Sequence, residues 1–235
     1  THEVIHNGQS TYFAPDDINS YGQPIGAKGA ANAADVAMRT IESKGGKAEL
    51  ASHRVPKITI YAQTARGILH VIDGETGEML MTFANGDPNL PTLAPAANDR
   101  YAAVVNGSTL YVLDLIQEKT SFERRLGGAP GAGPALSDDN VYVPLLGGII
   151  ESYRLKTDRK FRVPRRFASA GNTQVRPIIG PDTVSWPTDR GYLYVLDTVM
   201  DRVRYRLEAR SELVSHSTYL PPNRLLATSV EGYVL

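Results

Sequence analysis

The sequence predicts an all-β chain of repeated four-stranded sheets, and three observations predict it. A seven-residue phrase recurs along the chain at a near-constant interval. The strand carrying that phrase is apolar on both faces, so it must be covered on both sides. The strand closing a unit alternates charged and apolar residues, as a strand with one wet face does.

The phrase is G-x-L-Y-V-L-D. It reads GILHVID from Gly67, GSTLYVLD from Gly107 with one residue added in front, GIIESYR from Gly148, GYLYVLD from Gly191, and a clipped GYVL from Gly232. Its third positions are Leu69, Leu110, Ile150, Leu193 and Val234, so the steps are 41, 40, 43 and 41 residues. Even spacing of this kind marks a repeat protein.

Each element of the unit has its own justification. A short segment with proline and small residues comes first, as in TLAPAANDR, GAGPALSDD and RPIIGPD. A β-rich run ending in a turn follows, as in YAAVVNG from Tyr101, NVYVPLLGG from Asn140, TVSWPTDRG from Thr183 and RLLATSVEG from Arg224. The phrase strand is third. There Leu110 and Val112 share one face while Tyr111 and Leu113 share the other, and Leu193/Val195 oppose Tyr194/Leu196 in the same way. The fourth strand, Arg202-Val203-Arg204-Tyr205-Arg206-Leu207, alternates strictly. Four-stranded sheets stacked face to face with a polar outer strand are the blades of a β-propeller. About four and a half blades are expected over residues 55–235.

The Asp closing the phrase ends a strand, where its carboxylate can accept hydrogen bonds from N–H groups of the turn. Asp73, Asp114 and Asp197 are assigned this structural role. In Asp73-Gly74-Glu75-Thr76-Gly77, the last glycine supplies the positive φ of a tight turn.

The phrase, the proline-containing strand before it and the D-x-x-T-G turn resemble the repeat of the pyrroloquinoline-quinone (PQQ)-like propellers. That superfamily includes quinoprotein dehydrogenases and the non-enzymatic propeller lipoprotein of the bacterial outer-membrane β-barrel assembly machine. The resemblance implies a ring of six to eight blades, so the chain is expected to be part of a longer one, or the ring to be completed by another polypeptide. It also implies a docking tryptophan eight residues after the Asp. Here those positions hold Met81, Phe122, Arg162 and Tyr205, which marks a diverged relative whose blade contacts differ individually.

Residues 1–54 do not fit the repeat and read as an extension or linker with one short helix. Ala34, Ala37, Met38 and Ile41 form an apolar stripe that Gly45-Gly46 stops. The opening Thr1-His2-Glu3 is read as the start of a processed or partial polypeptide.

The search for chemistry yields little. Charge is balanced, with 25 basic and 25 acidic residues, which disfavours a general nucleic-acid or membrane-surface binder. There is no cysteine, hence no disulfide, thiolate metal site or cysteine nucleophile. His2 and His6 stand four apart but lack an acidic third ligand at fixed spacing. Gly127–Gly133 lacks the Lys-Ser/Thr of a phosphate loop and reads as a connection between blades. Ser215-His216-Ser217 lacks a nucleophile elbow.

A quinoprotein enzyme, by the resemblance, would hold PQQ between an aromatic ring and a vicinal cysteine disulfide beside a Ca²⁺ site. This chain has no cysteine and one tryptophan, Trp186, in a strand expected to be built into a blade. No metal, cofactor or catalytic residue is assigned. The basic run from Arg154 to Arg166 remains, and Arg159, Lys160, Arg162, Arg165 and Arg166 form the candidate interaction patch. Its competing reading is a solvated edge strand, with Lys160–Val163 outermost and Pro164 placed where a missing N–H costs no ladder bond.

The function expected is a non-catalytic scaffold or assembly subunit with protein partners, placed in the bacterial envelope by resemblance alone. The alternative is a PQQ-dependent dehydrogenase with a ligand site on the propeller axis.

Overall fold

The computed structural model describes residues 1–52, 58–156, 163–209, 211–213, 215, 217–220, 224–232 and 234. It divides into two compact units, Thr1–Ile58 and Thr59–Leu235.

The first unit is a three-stranded antiparallel sheet with one helix. Strands β1 (His2–His6), β2 (Gln9–Phe13) and β3 (Glu49–Ser52) lie in the order β2-β1-β3. Helix α1 (Gly26–Ser43) packs on β1 and β2, and Val4, Ala30 and Ala34 are buried. The apolar stripe read from the sequence lies within α1, lengthened by Ala30, and the chain leaves it as Gly45 and Gly46 donate to the carbonyls of Glu42 and Ile41. The three strands are an addition to the one-helix reading. His2 and His6 sit on β1, not on a helix, about 13 Å apart at the rise of a strand. Both ring nitrogens of His6 are engaged, Nδ1 with the Lys47 carbonyl and Nε2 with the Asn7 amide.

The second unit is a run of blades. Blade 1 comprises β4 (Thr59–Gln63), β5 (Ile68–Asp73) and β6 (Met79–Ala84). Blade 2 comprises β7 (Ala96–Ala97), β8 (Tyr101–Asn106), β9 (Thr109–Asp114) and β10 (Lys119–Arg125). Blade 3 comprises β11 (Ala135–Leu136), β12 (Asn140–Leu145), β13 (Ile149–Arg154) and β14 (Arg165–Ala168). Blade 4 comprises β15 (Ile178–Ile179), β16 (Thr183–Pro187), β17 (Tyr192–Asp197) and β18 (Arg202–Glu208). Blade 5 contributes β19 (Thr218–Leu220) and β20 (Arg224–Leu226), with a bridge from Thr228 to Val234 beyond them.

Blades 2, 3 and 4 are four-stranded antiparallel sheets in sequential strand order. Blade 1 has three described strands rather than four. The nearest upstream strand, β3, spends its edge on β1.

Cores lie between consecutive blades, as the doubly apolar phrase strands require. Leu69 and Val71 of blade 1 meet Ala102, Val104 and Leu113 of blade 2. Leu110 and Val112 meet Val141, Val143 and Tyr153 of blade 3. Ile150 and Phe167 meet Val184, Trp186 and Leu196 of blade 4. Leu193 then meets Ala227 and Leu225 of blade 5. Each side chain buried between sheets contributes about 1.5–3 kcal/mol, so blade stacking dominates the stability of this unit.

The residue docking blade 3 on blade 4 is Phe167, opposite Ile150 in the register. A count of eight from the phrase end points instead to Arg162, which lies outside the described residues. The third-to-fourth strand connection is longer in blade 3, so a fixed count falls short of β14.

Candidate interaction surface

Every third-strand end pairs with the start of the second strand: Asp73 with Thr59, Asp114 with Tyr101, Arg154 with Asn140, and Asp197 with Thr183. Three of these turns share one geometry. Asp73 Oδ1 accepts from the N–H groups of Glu75 and Thr76 at 2.9 and 3.0 Å. Asp114 Oδ1 accepts from Ile116 and Gln117, both at 3.0 Å. Asp197 Oδ1 accepts from Val199 and Met200 at 2.9 and 2.8 Å. The fifth residue is left-handed in each, Gly77 at φ 73°, Glu118 at 52° and Asp201 at 55°.

Two of the carboxylates also take an arginine, from different places. Arg100, in the first-to-second strand turn, reaches Asp114 Oδ2 at 3.2 Å. Arg204, on β18, reaches Asp197 Oδ2 at 2.7 Å. Burial works against ionisation of Asp114, but hydrogen bonds from Gln117, Arg100 and Ile116 outweigh it and hold the carboxyl below its ordinary value. The Met200 N–H and Arg204 do the same for Asp197.

The candidate patch is divided by the fold. Arg159, Lys160 and Arg162 lie outside the described residues. Arg165 and Arg166 open β14, and both have partners within the chain. Arg165 pairs with Asp201 of blade 4, and Arg154 stands 4.0 Å from the same carboxylate. Arg166 donates to Glu151 Oε1 through Nε at 3.0 Å and Nη2 at 2.9 Å. Val163 and Pro164, read as part of the outermost strand, precede the described outer strand β14.

Sequence reasoning missed Glu151, which is fully buried on β13. Its Oε2 accepts from the Gly127 N–H at 3.1 Å and the Tyr153 hydroxyl at 2.7 Å. Burial first, then Glu151, pushes the Tyr153 phenol far above its ordinary value. The signal was present: Glu151 stands where the phrase has Tyr111 and Tyr194, beside an arginine on the following strand.

The glycine-rich run is a close-approach segment. A Cβ on Gly131 would collide with the Thr173 carbonyl, and one on Gly133 with the Ala94 carbonyl. Farther along, Arg176 Nη2 donates to the carbonyls of Ala94 and Pro95 at 2.9 and 2.7 Å, tying the entry to blade 4 back to blade 2. Ser215 Oγ is bonded to the Thr228 carbonyl and hydroxyl, while His216 lies outside the described residues. Trp186 is fully buried, stacked on Tyr194 with ring centroids 5.6 Å apart. It is therefore part of the blade 3–4 core and not a platform for a planar cofactor. With no cysteine in the chain, these residues do not fit the PQQ site that the resemblance implies.

No protein-family model matches the chain, and no curated protein matches it. Solved structures do. The β-propeller domain of Cps50 (Swd1) from Myceliophthora thermophila aligns at TM-score 0.59 and 15% identity, over 73% of this chain and 58% of that one. BamB from Moraxella catarrhalis aligns at 0.56 and 17%, over 79% and 61%. The computationally designed Ika8 protein aligns at 0.61 and 14%, over 77% and 55%. This chain is a β-propeller. It spans between 55% and 61% of the length of these structures.

Proposed function

We propose that the chain is a non-catalytic propeller scaffold that mediates protein–protein interaction within a bacterial envelope complex. One observation carries the reading. Among the described residues, the patch arginines that the sequence offers for docking hold the blades, Arg165 on Asp201 and Arg166 on Glu151, as Arg204 holds Asp197. Such a frame is stiff, and it displays turns whose exposed side chains are free to vary.

The likeness to BamB and the resemblance of the repeat to a superfamily with a non-enzymatic assembly subunit support the same reading. They also support the envelope, on its periplasmic side, as the place to look. No helix among the described residues is long and apolar enough to cross a membrane.

Native mass spectrometry of the protein from its source tests this function. A discrete complex with other polypeptides and no small ligand is the expected result. A lone chain, or a bound mass matching a quinone, overturns it, and the quinone would bring the dehydrogenase alternative forward.

A further inference from the structure

The three isostructural turns differ at their tips. Their backbone geometry is set by the aspartate, the two N–H donors and the left-handed fifth residue. At the third and fourth positions blade 1 places Glu75 and Thr76. Blade 2 places Ile116 and Gln117, and blade 4 places Val199 and Met200. In blade 1 the Thr76 hydroxyl adds to the turn by accepting from the Glu78 N–H at 3.2 Å, and in blade 4 Met200 Sδ accepts from Arg202 at 3.3 Å, whereas Ile116 and Val199 carry no polar atom and add nothing to their turns. Ile116 is 71% exposed, Val199 77% and Met200 62%. Val199 and Met200 are adjacent, and exposed apolar side chains that adjoin one another and a groove mark a surface that a partner can cover.

These tips share one end of the blades with the first-to-second strand turns. Backbone bonds join the two sets, from Leu115 N–H to the Arg100 carbonyl at 2.8 Å, Leu155 to Asp139 at 2.8 Å, and Thr198 to Asp182 at 3.0 Å. Between blades 3 and 4 the two sets border a groove of about 470 Å³. Leu136, Ile179, Pro181 and Val199 form its apolar lining, with Asp138 and Asp182 also lining it. Asp139 is neutralised by Lys156 at 3.0 Å. Asp138 and Asp182 are exposed and have no ion-pair partner among the described residues. Arg204, which lines a neighbouring hollow with Asp182, is committed to Asp197.

A groove lined by both apolar side chains and carboxylates complements a segment that brings both methylene-rich and cationic side chains. Lysine and arginine meet both needs, because their stems lie on apolar surface while their heads reach the acid. Methionine at the edge adapts to the shape of what it meets. We propose that this end of blades 2 to 4 is a protein-docking face. Its groove takes a lysine- or arginine-bearing segment of a partner polypeptide, whose apolar residues cover Ile116, Val199 and Met200. The inference rests on the scaffold reading and names its surface and partner chemistry.

Site-specific photocrosslinking of the full chain in its source cells tests it. A photoreactive amino acid is placed at position 116, at position 199, and at Ser108, an exposed residue of the second-to-third strand turn at the opposite end of blade 2. The expected result is crosslinks from 116 and 199, and not from 108, to a partner peptide containing Lys or Arg. The D138N/D182N pair should lower their yield roughly 5-fold, as loss of rim ion pairs does. Crosslinks from 108 alone overturn this face and leave the scaffold function standing. An acidic partner peptide, or a second copy of this chain at 116 and 199, overturns the basic-segment assignment. Silence at all three positions, with a lone chain in native mass spectrometry, overturns both.

Discussion

Blades 3 and 4 solve one problem with different chemistry. In each, the connection entering the blade presents an N–H group that must be satisfied, and a side chain on the third strand, 24 residues later, accepts it. In blade 4 the Tyr194 hydroxyl takes the Ala170 N–H at 2.8 Å. In blade 3 the Glu151 carboxylate takes the Gly127 N–H at 3.1 Å. Each acceptor faces an arginine directly across on the fourth strand, Arg206 for Tyr194 and Arg166 for Glu151. Arg206 lies 4.6 Å over the Tyr192 ring. What blades 3 and 4 share is therefore an acceptor at this height with a cation beside it, rather than a residue type. The phenol solution adds a stacked tryptophan and a neutral core. The carboxylate solution buries an acidic side chain completely.

The largest effect is expected from breaking the blade 3 version. Glu151→Ala strips acceptors from Gly127, Tyr153 and Arg166 together. Removing one member of a buried ion pair costs about 3 kcal/mol or more, reduced here because Arg166 can turn to water. Urea unfolding should give a loss of about 2–3 kcal/mol, and a loss under about 1 kcal/mol would show that the carboxylate holds nothing. Tyr194→Phe removes one hydroxyl and keeps the stack on Trp186. It should cost about 1–1.5 kcal/mol, the value of one buried hydrogen bond. If the two substitutions cost the same, the two blades do not differ as described.

The phrase end sharpens the contrast through pH. Blade 4 closes its third strand with Asp197 and blade 3 with Arg154. The folded-state pKa of Asp197 is depressed, by the Met200 N–H and Arg204, below the unfolded value of about 3.9. A depressed carboxyl contributes stability that is present above the unfolded pKa and is lost as pH falls through the folded one. The stability gap between the wild type and Asp197→Asn should therefore be constant near neutrality and close below about pH 4. Arg154 does not titrate there and touches an acid-titrating group only at the long, exposed contact with Asp201, so Arg154→Gln should change the acid limb of the stability curve far less than Asp197→Asn does. A gap that persists undiminished to pH 2 would refute the linkage.

How much of this was legible in the sequence depends on whether a pattern was local or relational. The phrase strands were legible because both-face apolarity is written into six consecutive residues, and the cores flanking Leu110 and Leu193 lie on both sides of them. The hairpin of β1 and β2 was legible and went unread. Asn7-Gly8, both with positive φ, is the strongest short hairpin signal. The docking role of Phe167 was not legible. It depends on the register of β14 against β13, which a lengthened connection shifts and no residue count recovers. Glu151 was half legible, as a carboxylate in a tyrosine's place, but its partners Gly127 and Arg166 lie on either side of it in the chain and only pairing brings them together. The same holds for the patch, where Arg165 looked free until Asp201 of the next blade was set beside it.

The smallest expected effect comes from the turns themselves. Glu118 in blade 2 and Asp201 in blade 4 both hold a left-handed backbone that Gly77 holds without a Cβ penalty in blade 1. Glu118→Gly relieves that strain but gives the unfolded chain more freedom, so the net gain should be about 0.5 kcal/mol. Asp201→Gly gains the same relief and loses the carboxylate that Arg165 and Arg154 share across the blade 3–4 boundary. A partly exposed ion pair contributes about 0.2–1 kcal/mol, so the two changes in blade 4 should nearly cancel. Unfolding at low and high salt separates them. Screening removes the ion-pair part, so Asp201→Gly should gain on the wild type as salt rises while Glu118→Gly keeps a constant advantage. Parallel salt responses for the two variants would mean that Asp201 serves only its turn, and that the tie between blades 3 and 4 rests on the core around Phe167 and Trp186 alone.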